Sequence, residues 1–562
     1  MQRGISVLAF FVPAFIMLVL FIIRGIYPFG DRSFLFSDMY HQYMPFLSEF
    51  VHKIKAGEGL FYSYNVGIGS NFLALYVYYL ASPFNWLVFL LPEGLIMEFM
   101  SYLVILRIGL MGLTFSIYLR KVFGKEDPAA LLFSTAYALS GYLAAYNWNV
   151  MWLDCLILLP LILLGAERLV REGKWVMYTV TLGLCILTNY YISIMICIFL
   201  VLYFGMLLIT EYYTMTEGQS RKARIVFGRI GRFAFASLLA GGLAAALLIP
   251  EVCAILRTDF GNSDFPGTLE SYFSVFDMLA RHCLCVTTER GLEHWPNIYC
   301  GVAVFLLVPM YALNEKISVR KRFCNLALAG FLLLSFGTNV LDFLWHGLNY
   351  PDSLPARQSF LYIFLILVMC YDTFRNVEGT SPRQILYGYL AAVVFLLACE
   401  KFVESEDFDT GIEVLTLVFV TIYGVLLYLY RTRKDELTRQ VLGILVLACI
   451  VAELSINTFN TSLGTTGRSA YLGDQEDYKA LYALTQEQEG DDFFRIEKFT
   501  RKTKNDGTLT GYPTASVFSS TMNSNVMDLY KMLGMRHSKV YYGFDGATAF
   551  VSALLNVDYM FG

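Results

Sequence analysis

Residues 5–23, ISVLAFFVPAFIMLVLFII, form a predominantly apolar run without a single charged side chain. A helix needs about 20 such residues to cross the hydrocarbon core of a bilayer, so this run has the length of one membrane span. Arg3 precedes the run, as in a signal peptide, but no small-residue cleavage site is evident after it. We therefore expect a retained first membrane helix.

The composition of the whole chain agrees with that reading of its first run. Of the 562 residues 57% are hydrophobic and only 16% are charged, which is far from the balance of a soluble domain. The net charge of -4 and the lack of a basic segment give no reason to expect nucleic acid as a partner. The sequence thus predicts an α-helical polytopic membrane protein.

Further apolar runs of about span length follow along the chain. Together they predict about thirteen membrane helices, some of them short. The predicted spans are residues 5–26, 97–119, 129–146, 152–168, 175–188, 191–213, 231–249, 298–313, 322–336, 358–374, 385–400, 412–430 and 440–457.

Lysine and arginine are concentrated in alternate loops, which predicts the orientation of the spans. Arg120, Lys121 and Lys125 lie in one basic loop, and similar loops follow each second span, whereas residues 147–151 and 189–190 hold no Lys or Arg. The N-terminus is therefore predicted on the cytoplasmic side and the C-terminal tail outside. A single span at residues 71–91 would invert this pattern, so we interpret that aromatic stretch as interfacial or re-entrant within a long first outer loop, residues 27–96.

The character of the chain changes near its C-terminal end. Residues 1–457 are predicted to form the transmembrane domain, and residues 458–562 a polar extracytoplasmic α/β domain, with Gly464 to Gly467 as a linker. Residues 493–499 have the pattern of a strand and residues 525–533 that of a helix. The unit ends without an evident terminal signal, so we expect it to be incomplete.

Two carboxylates near the outer face are candidates for catalysis. Asp38 follows the first span among apolar neighbours that can raise the pKa of its carboxyl group, although Ser37 and Asp38 also suit the start of a helix. Asp154 lies at the outer end of a span beside Trp148 and Trp152, at a depth where an ionisable residue is functional by default or simply hydrated.

Two arginines could bind a charged partner at membrane depth. Arg107 lies well inside a predicted span and needs a carboxylate or a phosphate there, so it is either structural or functional. Arg357 begins a span on the outer side, where its guanidinium could hold a lipid-linked phosphate with two parallel hydrogen bonds. An ordinary headgroup anchor is the alternative for Arg357.

Polar and aromatic side chains recur in the predicted outer loops, as in sites that bind sugars. They are Tyr40, His41 and Gln42 in the first outer loop, Asn189, Tyr190 and Tyr191 in a short turn, and His294 before another span. No nucleotide-, flavin- or protease-type motif is present, and the pair Cys283 and Cys285 is too sparse to predict zinc. Cofactor and metal dependence therefore stay open.

Several segments together resemble the bacterial YfhO family along nearly the whole chain. They are residues 37–46, SDMYHQYMPF, residues 65–72, NVGIGSNF, residues 149–154, NVMWLD, residues 188–192, TNYYI, and Pro296 to Tyr299 with Gly301. Members of that family resemble the GT-C class of glycosyltransferases. The resemblance implies an enzyme of the bacterial cytoplasmic membrane that transfers a sugar from a polyprenyl-phosphate carrier to a cell-envelope acceptor such as teichoic acid.

This resemblance also implies roles for the candidate residues. Asp38 matches the acidic residue of the first loop that serves as the base, and a single displacement would invert the anomeric configuration. Arg357, with His294, would hold the charge of the leaving phosphate. Asp154 remains a second catalytic candidate. The chain is shorter than the family members that have a further span after the outer domain.

Two other classes of function remain as alternatives. The same aromatic loops would suit a flippase or transporter of lipid-linked glycans, which should expose polar residues on both membrane faces, whereas Asp38, Asp154, His294 and Arg357 are all predicted on one face. A non-catalytic scaffold for a polyprenyl-phosphate enzyme is the third possibility. In that case, Asp38→Asn would leave activity unchanged.

Overall fold

A computed structural model describes residues 2–124, 127–215, 218–259, 264–351 and 353–562. Lys125, one of the cations used above to orient the spans, lies outside these residues. The first half of the chain consists of helices α1 Gln2–Ile23, α2 Met44–Lys55, α3 Phe72–Leu75, α4 Ile96–Phe123, α5 Ala129–Ala138, α6 Gly141–Tyr146, α7 Leu153–Glu172, α8 Val176–Thr188, α9 Tyr190–Tyr212 and α10 Gln219–Ile255.

A second group of helices completes the transmembrane part. It comprises α11 Val275–Ala280, α12 Val304–Leu313, α13 Val319–Gly337, α14 Asn339–Trp345, α15 Ser359–Arg375, α16 Pro382–Phe402, α17 Thr410–Thr432 and α18 Glu436–Thr461. Helix α15 is buried along nearly its whole length, because α5 packs against it from the first group and α12 and α13 from the second. The core of the bundle therefore lies where the two groups meet.

Each of the thirteen predicted spans falls on helical residues, but fewer helices have the dimensions of a span. Among the described residues, eight helical segments are long and apolar enough to cross a membrane, with α5 and α6 counted as one. The other five predicted spans fall on α7, α8, α12, α13 and α15. Helices α12 and α8 are short, with 10 and 13 residues. Helices α7, α13 and α15 contain charged residues at one or both of their ends. The predicted number of thirteen is thus higher than length and composition support.

Residues 71–91 do not form one straight span. The helical segments Phe72–Leu80 and Pro83–Leu90 are bent by 96° relative to each other, which is the geometry of a broken span or a re-entrant loop. Ser82 lies at the bend, where its hydroxyl accepts a hydrogen bond from the backbone N–H of Phe84 at 3.3 Å. Pro83 begins the second segment, a position where a helix loses nothing by lacking an N–H. This agrees with the interfacial or re-entrant interpretation.

The C-terminal unit follows α18, which ends at Thr461, inside the predicted outer domain. It contains helices α19 Arg468–Leu472, α20 Gln475–Glu489, α21 Asp506–Thr510, α22 Ser524–Met532 and α23 Ala549–Leu554. Its strands, numbered after β1 Arg32–Ser33, β2 Tyr62–Ser63 and β3 Ser70–Asn71 of the first loop, are β4 Thr466–Gly467, β5 Arg495–Lys498, β6 Val517–Phe518, β7 His537–Ser538, β8 Tyr541–Tyr542 and β9 Val557–Phe561. The predicted strand and helix correspond to β5 and α22.

The C-terminal unit is joined to the first loop rather than tethered by a free linker. Strand β4, within the predicted linker, pairs antiparallel with β1. The side-chain amide of Asn505 donates to the backbone carbonyl of His41 at 2.7 Å, and the hydroxyl of Thr508 donates to the carbonyl of Asn65 at 2.6 Å. The backbone N–H of Ile68 donates to the hydroxyl of Tyr542 at 3.2 Å. These bonds hold the unit against the loop that contains Asp38.

Candidate active site

Asp38 occupies the start of a single π-helical turn, Met39–Tyr43, just after the first membrane helix. Its carboxylate makes no capping hydrogen bond with that turn, so the structure gives no support to a helix-capping role. The preceding Ser37 has φ 48°, a left-handed conformation that is costly for a residue other than glycine and is found mostly at functional sites. Burial raises the pKa of the Asp38 carboxyl from 3.8 to about 6, while the positive charge of Arg357 opposes the rise.

Arg357 is held in place by three hydrogen bonds just before α15. Its Nε donates to the carbonyl of Leu354 at 3.0 Å, Nη1 to the hydroxyl of Tyr191 at 2.8 Å, and Nη2 to the carbonyl of Ser353 at 2.9 Å. The guanidinium also lies over the rings of Trp152 and Tyr191, at 5.4 Å and 5.2 Å from their centroids. A guanidinium has five N–H donors, so among the described residues each terminal nitrogen keeps one N–H without a partner.

Asp38 and Arg357 line the same cavity, which has a volume of about 400 Å³. Gln42, Tyr190 and Tyr191 are the other residues predicted for the site that line it. The cavity also has a wall from the C-terminal unit. Further lining residues are Tyr78, Tyr79, Asn149, Met151, Trp152, Glu251, His346, Tyr350, Phe518, Ser520, Thr521 and Val540. The cavity lining thus combines the predicted carboxylate of Asp38 and guanidinium of Arg357 with the phenol rings of several tyrosines.

Two ionisable residues of the cavity escaped the sequence reasoning. Glu251, near the end of α10, accepts a hydrogen bond from the hydroxyl of Tyr190 at 3.1 Å through Oε1, while Oε2 is buried without a partner among the described residues. His346 follows α14 and is considered further below. Glu251 follows directly on an apolar run. An ionisable residue at the end of a span is a candidate functional residue, as for Asp154, so the sequence does contain a signal for Glu251.

Asp154 does not line the cavity. Its Oδ1 accepts a hydrogen bond from Nε of Arg107 at 2.9 Å, and both side chains are almost fully buried, with exposed fractions of 3% and 1%. Arg107 also donates to the hydroxyl of Ser82 at 2.8 Å. The predicted carboxylate partner of Arg107 is therefore Asp154, and the ion pair ties the 96° bend to the bundle. Asp154 thus forms a structural ion pair outside the cavity lining, and its catalytic role stays a prediction.

His294 also lies away from the cavity lining. Its ring stacks on the ring of Tyr272, with 4.1 Å between centroids and 14° between planes. The hydroxyl of Tyr272 in turn donates to Oδ2 of Asp342 at 3.1 Å. His294 thus contacts Tyr272 and does not line the cavity, so its role at the phosphate stays a prediction.

Three more predicted site residues support the cavity without lining it. Tyr40 packs edge-on against Tyr471, with 4.6 Å between centroids, and His41 bonds the C-terminal unit through its backbone. Burial lowers the pKa of the His41 imidazole. Asn189 caps α9, because its Oδ1 accepts the backbone N–H of Ile192 at 2.8 Å. These residues position the neighbouring Gln42, Tyr190 and Tyr191.

No metal centre stands out in the part of the chain that the structure describes: no three His, Cys, Asp or Glu side chains come together there. The candidate site is instead a polar cavity at one end of a helical bundle, with an opposed carboxylate and guanidinium and a wall from the C-terminal unit. Fold and site define a multi-pass helical membrane protein with a polar cavity at the base of its C-terminal unit.

The comparison with family models then gives the family. Residues 9–562 match the model of the bacterial membrane protein YfhO, so the chain belongs to that family. Over 498 residues, which are 84% of this chain and 54% of the relative, it is 21% identical to the uncharacterized protein YfhO of Bacillus subtilis (strain 168). The chain therefore spans about half the length of the curated relative it matches.

Two solved structures resemble this chain in overall path only. The arabinofuranosyltransferase AftD from Mycobacteria matches with a TM-score of 0.49 and 13% identity, over 95% of this chain and 33% of that protein. ArnT from Cupriavidus metallidurans, solved bound to undecaprenyl phosphate, matches with a TM-score of 0.38 and 12% identity, over 88% of this chain and 83% of that protein. We therefore argue the chemistry of the cavity from its own residues.

Proposed function

We propose that this chain is a membrane glycosyltransferase that moves a sugar from a polyprenyl-phosphate carrier to a hydroxyl group of a cell-envelope polymer such as teichoic acid. One observation carries the proposal: a carboxylate with a raised pKa lines the same cavity as a guanidinium that keeps two N–H groups without a partner among the described residues. A general base works best with a pKa near the working pH, and an arginine fork matches a phosphate. The volume of about 400 Å³ is within the usual range of small-molecule sites.

The reaction follows from these two groups. Asp38 accepts the proton of the acceptor hydroxyl as its oxygen forms a bond to the anomeric carbon of the donor sugar. The bond between that carbon and the phosphate oxygen breaks, and the electron pair leaves with the phosphate. Arg357 stabilises the charge that develops on the phosphate. Because attack and departure occur on opposite sides of one carbon, the transfer inverts the anomeric configuration.

The proposed orientation puts this chemistry outside the cell. Lys and Arg of the basic loops would lie in the cytoplasm with the N-terminus, and the first loop and the C-terminal unit would face outward. The acceptor would then be within reach of the cavity. A cysteine-accessibility experiment with a membrane-impermeant reagent on intact cells tests this, with Ser524→Cys in the C-terminal unit as the expected reactive position and Arg433→Cys, after α17, as the expected protected one.

The sugar-transfer proposal is tested with purified protein in lipid nanodiscs. Radiolabelled undecaprenyl-phosphate hexose or N-acetylhexosamine is supplied with cell-wall polymer, and label in the polymer is counted. We expect Asp38→Asn to lower the rate by about 100-fold or more, since a positioned base typically contributes that much. Asp528→Asn, an exposed carboxylate of α22, is the matched control and should retain the wild-type rate.

The alternatives give different outcomes in the same experiment. Retained transfer in Asp38→Asn would contradict the assigned base. A flippase would move a fluorescent lipid-linked glycan across the bilayer of a proteoliposome without transferring its sugar. A scaffold would show neither activity on its own.

A further inference from the structure

His346 is the histidine that faces the cavity. It follows the last turn of α14 and has an exposed fraction of 2%, so its imidazole is enclosed by protein. Its Nδ1 lies 3.0 Å from Oδ1 of Asp342, one helical turn earlier. Its Nε2 is buried and has no hydrogen-bond partner among the described residues, although the residue lines the cavity. A buried ring nitrogen without a protein partner calls for a ligand or an ordered water.

Asp342 fixes the orientation of that imidazole. Nδ1 of His346 donates to the backbone carbonyl of Asp342 at 2.8 Å and also lies 3.0 Å from Oδ1 of its carboxylate, whose Oδ2 accepts the hydroxyl of Tyr272 at 3.1 Å. The two acceptors place the proton on Nδ1, and the negative charge of the carboxylate stabilises the doubly protonated ring. The remaining nitrogen, Nε2, has no hydrogen-bond partner among the described residues and belongs to a residue that lines the cavity.

Gly347, which follows His346, and Arg357 both lie against the start of α9. Arg357 donates to the hydroxyl of Tyr191, and a Cβ placed on Gly347 would be 3.7 Å from Cδ1 of Ile194. Tyr191 and Ile194 are three residues apart, so they share one face of α9. His346 and Arg357 both line the cavity beside this face.

We propose that His346, held by Asp342, is a second phosphate-binding group of the cavity and donates its Nε2–H to the phosphate oxygen that leaves the sugar. The inference rests on the proposed function for the transfer step only. The broken bond between carbon and oxygen leaves its electron pair on the phosphate, and the proton of the imidazolium passes to that oxygen. The products are a hydrogenphosphate monoester and a neutral His346, which is reprotonated after the lipid departs.

The two acid–base groups of the cavity then have separate tasks. Asp38 takes the proton of the acceptor, and His346 supplies one to the leaving group. A phosphate monoester has a second pKa of about 6, so its oxygen can hold the transferred proton near neutral pH. Among the described residues, the Asp342 carboxylate beside the imidazole also interacts with Tyr191, Tyr272 and Tyr350, and Arg357 lines the same cavity.

The phosphate site is tested without any sugar. Undecaprenyl phosphate is added to the protein in nanodiscs, and the ³¹P chemical shift is followed against pH. In the wild type, the positive charges at the site should lower the pH at which the bound monoester takes up its second proton, relative to the lipid in empty nanodiscs. His346→Gln keeps an N–H near the position of Nε2 but cannot become charged. It should move the midpoint back toward the free lipid and weaken binding roughly tenfold.

Control variants separate this role from a loss of structure. His537→Gln, in strand β7 of the C-terminal unit and away from the cavity lining, should retain the wild-type midpoint and affinity. Asp342→Asn retains the shape of the pair but removes the charge that favours the imidazolium, so its midpoint should lie between those of the wild type and His346→Gln. A folded His346→Gln protein with unchanged midpoint and affinity would overturn the inference. If that variant does not fold, an unchanged midpoint in Asp342→Asn would do so.

Two further measurements identify the ligand and distinguish a failure of this inference from a failure of the proposed function. Inorganic phosphate should compete at least 100-fold more weakly than the lipid, and equal competition would overturn a lipid phosphate as the occupant. A wild-type protein that binds undecaprenyl phosphate through His346 but transfers no sugar would refute the proposed function and leave the phosphate site standing. Full sugar transfer by His346→Gln would refute the role of His346 alone.

Discussion

The change of Asp38 to asparagine should stabilise the protein while it removes activity. Raising the carboxyl pKa from 3.8 to about 6 makes the ionised form about 3 kcal/mol less stable in the folded protein at neutral pH. Because the side chain is not fully enclosed, solvent screening should leave roughly 1–2 kcal/mol of this to be measured. Asparagine has nearly the same shape and no charge, so it avoids that cost.

The sign of the effect depends on pH. Below about pH 3 the carboxyl is mostly protonated in both folded and unfolded chains, so the charge imposes little cost on the wild type. As the pH rises from about 3 to 6 the unfolded chain ionises first, and the wild type loses stability until the folded carboxyl is ionised as well. Asp38→Asn should therefore match the wild type at about pH 3 and exceed it by roughly 1–2 kcal/mol at about pH 7.5.

Equilibrium unfolding in mixed detergent micelles, monitored by tryptophan fluorescence at both pH values, measures this difference. Asp528→Asn, exposed on α22, serves as the control and should show no comparable gain. Two results would refute the view that burial of the charged Asp38 carboxylate destabilises the fold. One is a free energy of unfolding for Asp38→Asn below that of the wild type at pH 7.5, and the other is a gain in stability of equal size at both pH values.

Three other changes have distinct expected results. In the wild type, kcat/KM for sugar transfer should fall about tenfold for each pH unit below 6, because only ionised Asp38 accepts a proton; a flat profile between pH 5 and 7 would contradict this. Tyr191→Phe removes a hydrogen bond to the guanidinium, so the KM for the donor in initial-rate assays should rise roughly three- to tenfold with kcat nearly unchanged. Gly67 has φ 59°, and a Cβ at this position would collide with the hydroxyl of Tyr542. Gly67→Ala should therefore speed proteolysis of the C-terminal unit. Gly59→Ala, at a position in open space, should not.

Helix positions followed well from the sequence because apolar length alone determines them. The break between α5 and α6 did not. There the backbone N–H of Gly141 donates to the carbonyl of Tyr299 at 2.7 Å, a bond to a residue far away in the chain that interrupts the helix. Local composition at residues 129–146 contains no sign of that partner.

The difference between local composition and contacts with distant residues also explains which site residues could be predicted. Asp38, Tyr191 and Arg357, which line the cavity, each lie beside the end of an apolar run, where charge and aromatic rings are informative. Asp154 passed the same test, but its burial against Arg107 comes from packing between α4 and α7, which the sequence does not specify. Only the fold shows that His346, and not the predicted His294, lines the cavity.

The contact between the first loop and the C-terminal unit has a consequence for biogenesis. Ile68 and Tyr542, which are hydrogen-bonded, are 474 residues apart. The ribosome therefore releases the segment with Asp38 long before it makes Ser520 and Thr521, which line the cavity. Until those two residues have been synthesised the cavity lacks their wall, so a nascent chain holds Asp38 and Arg357 in an open cleft. The cavity can enclose a substrate only after the C-terminal unit has folded against the first loop.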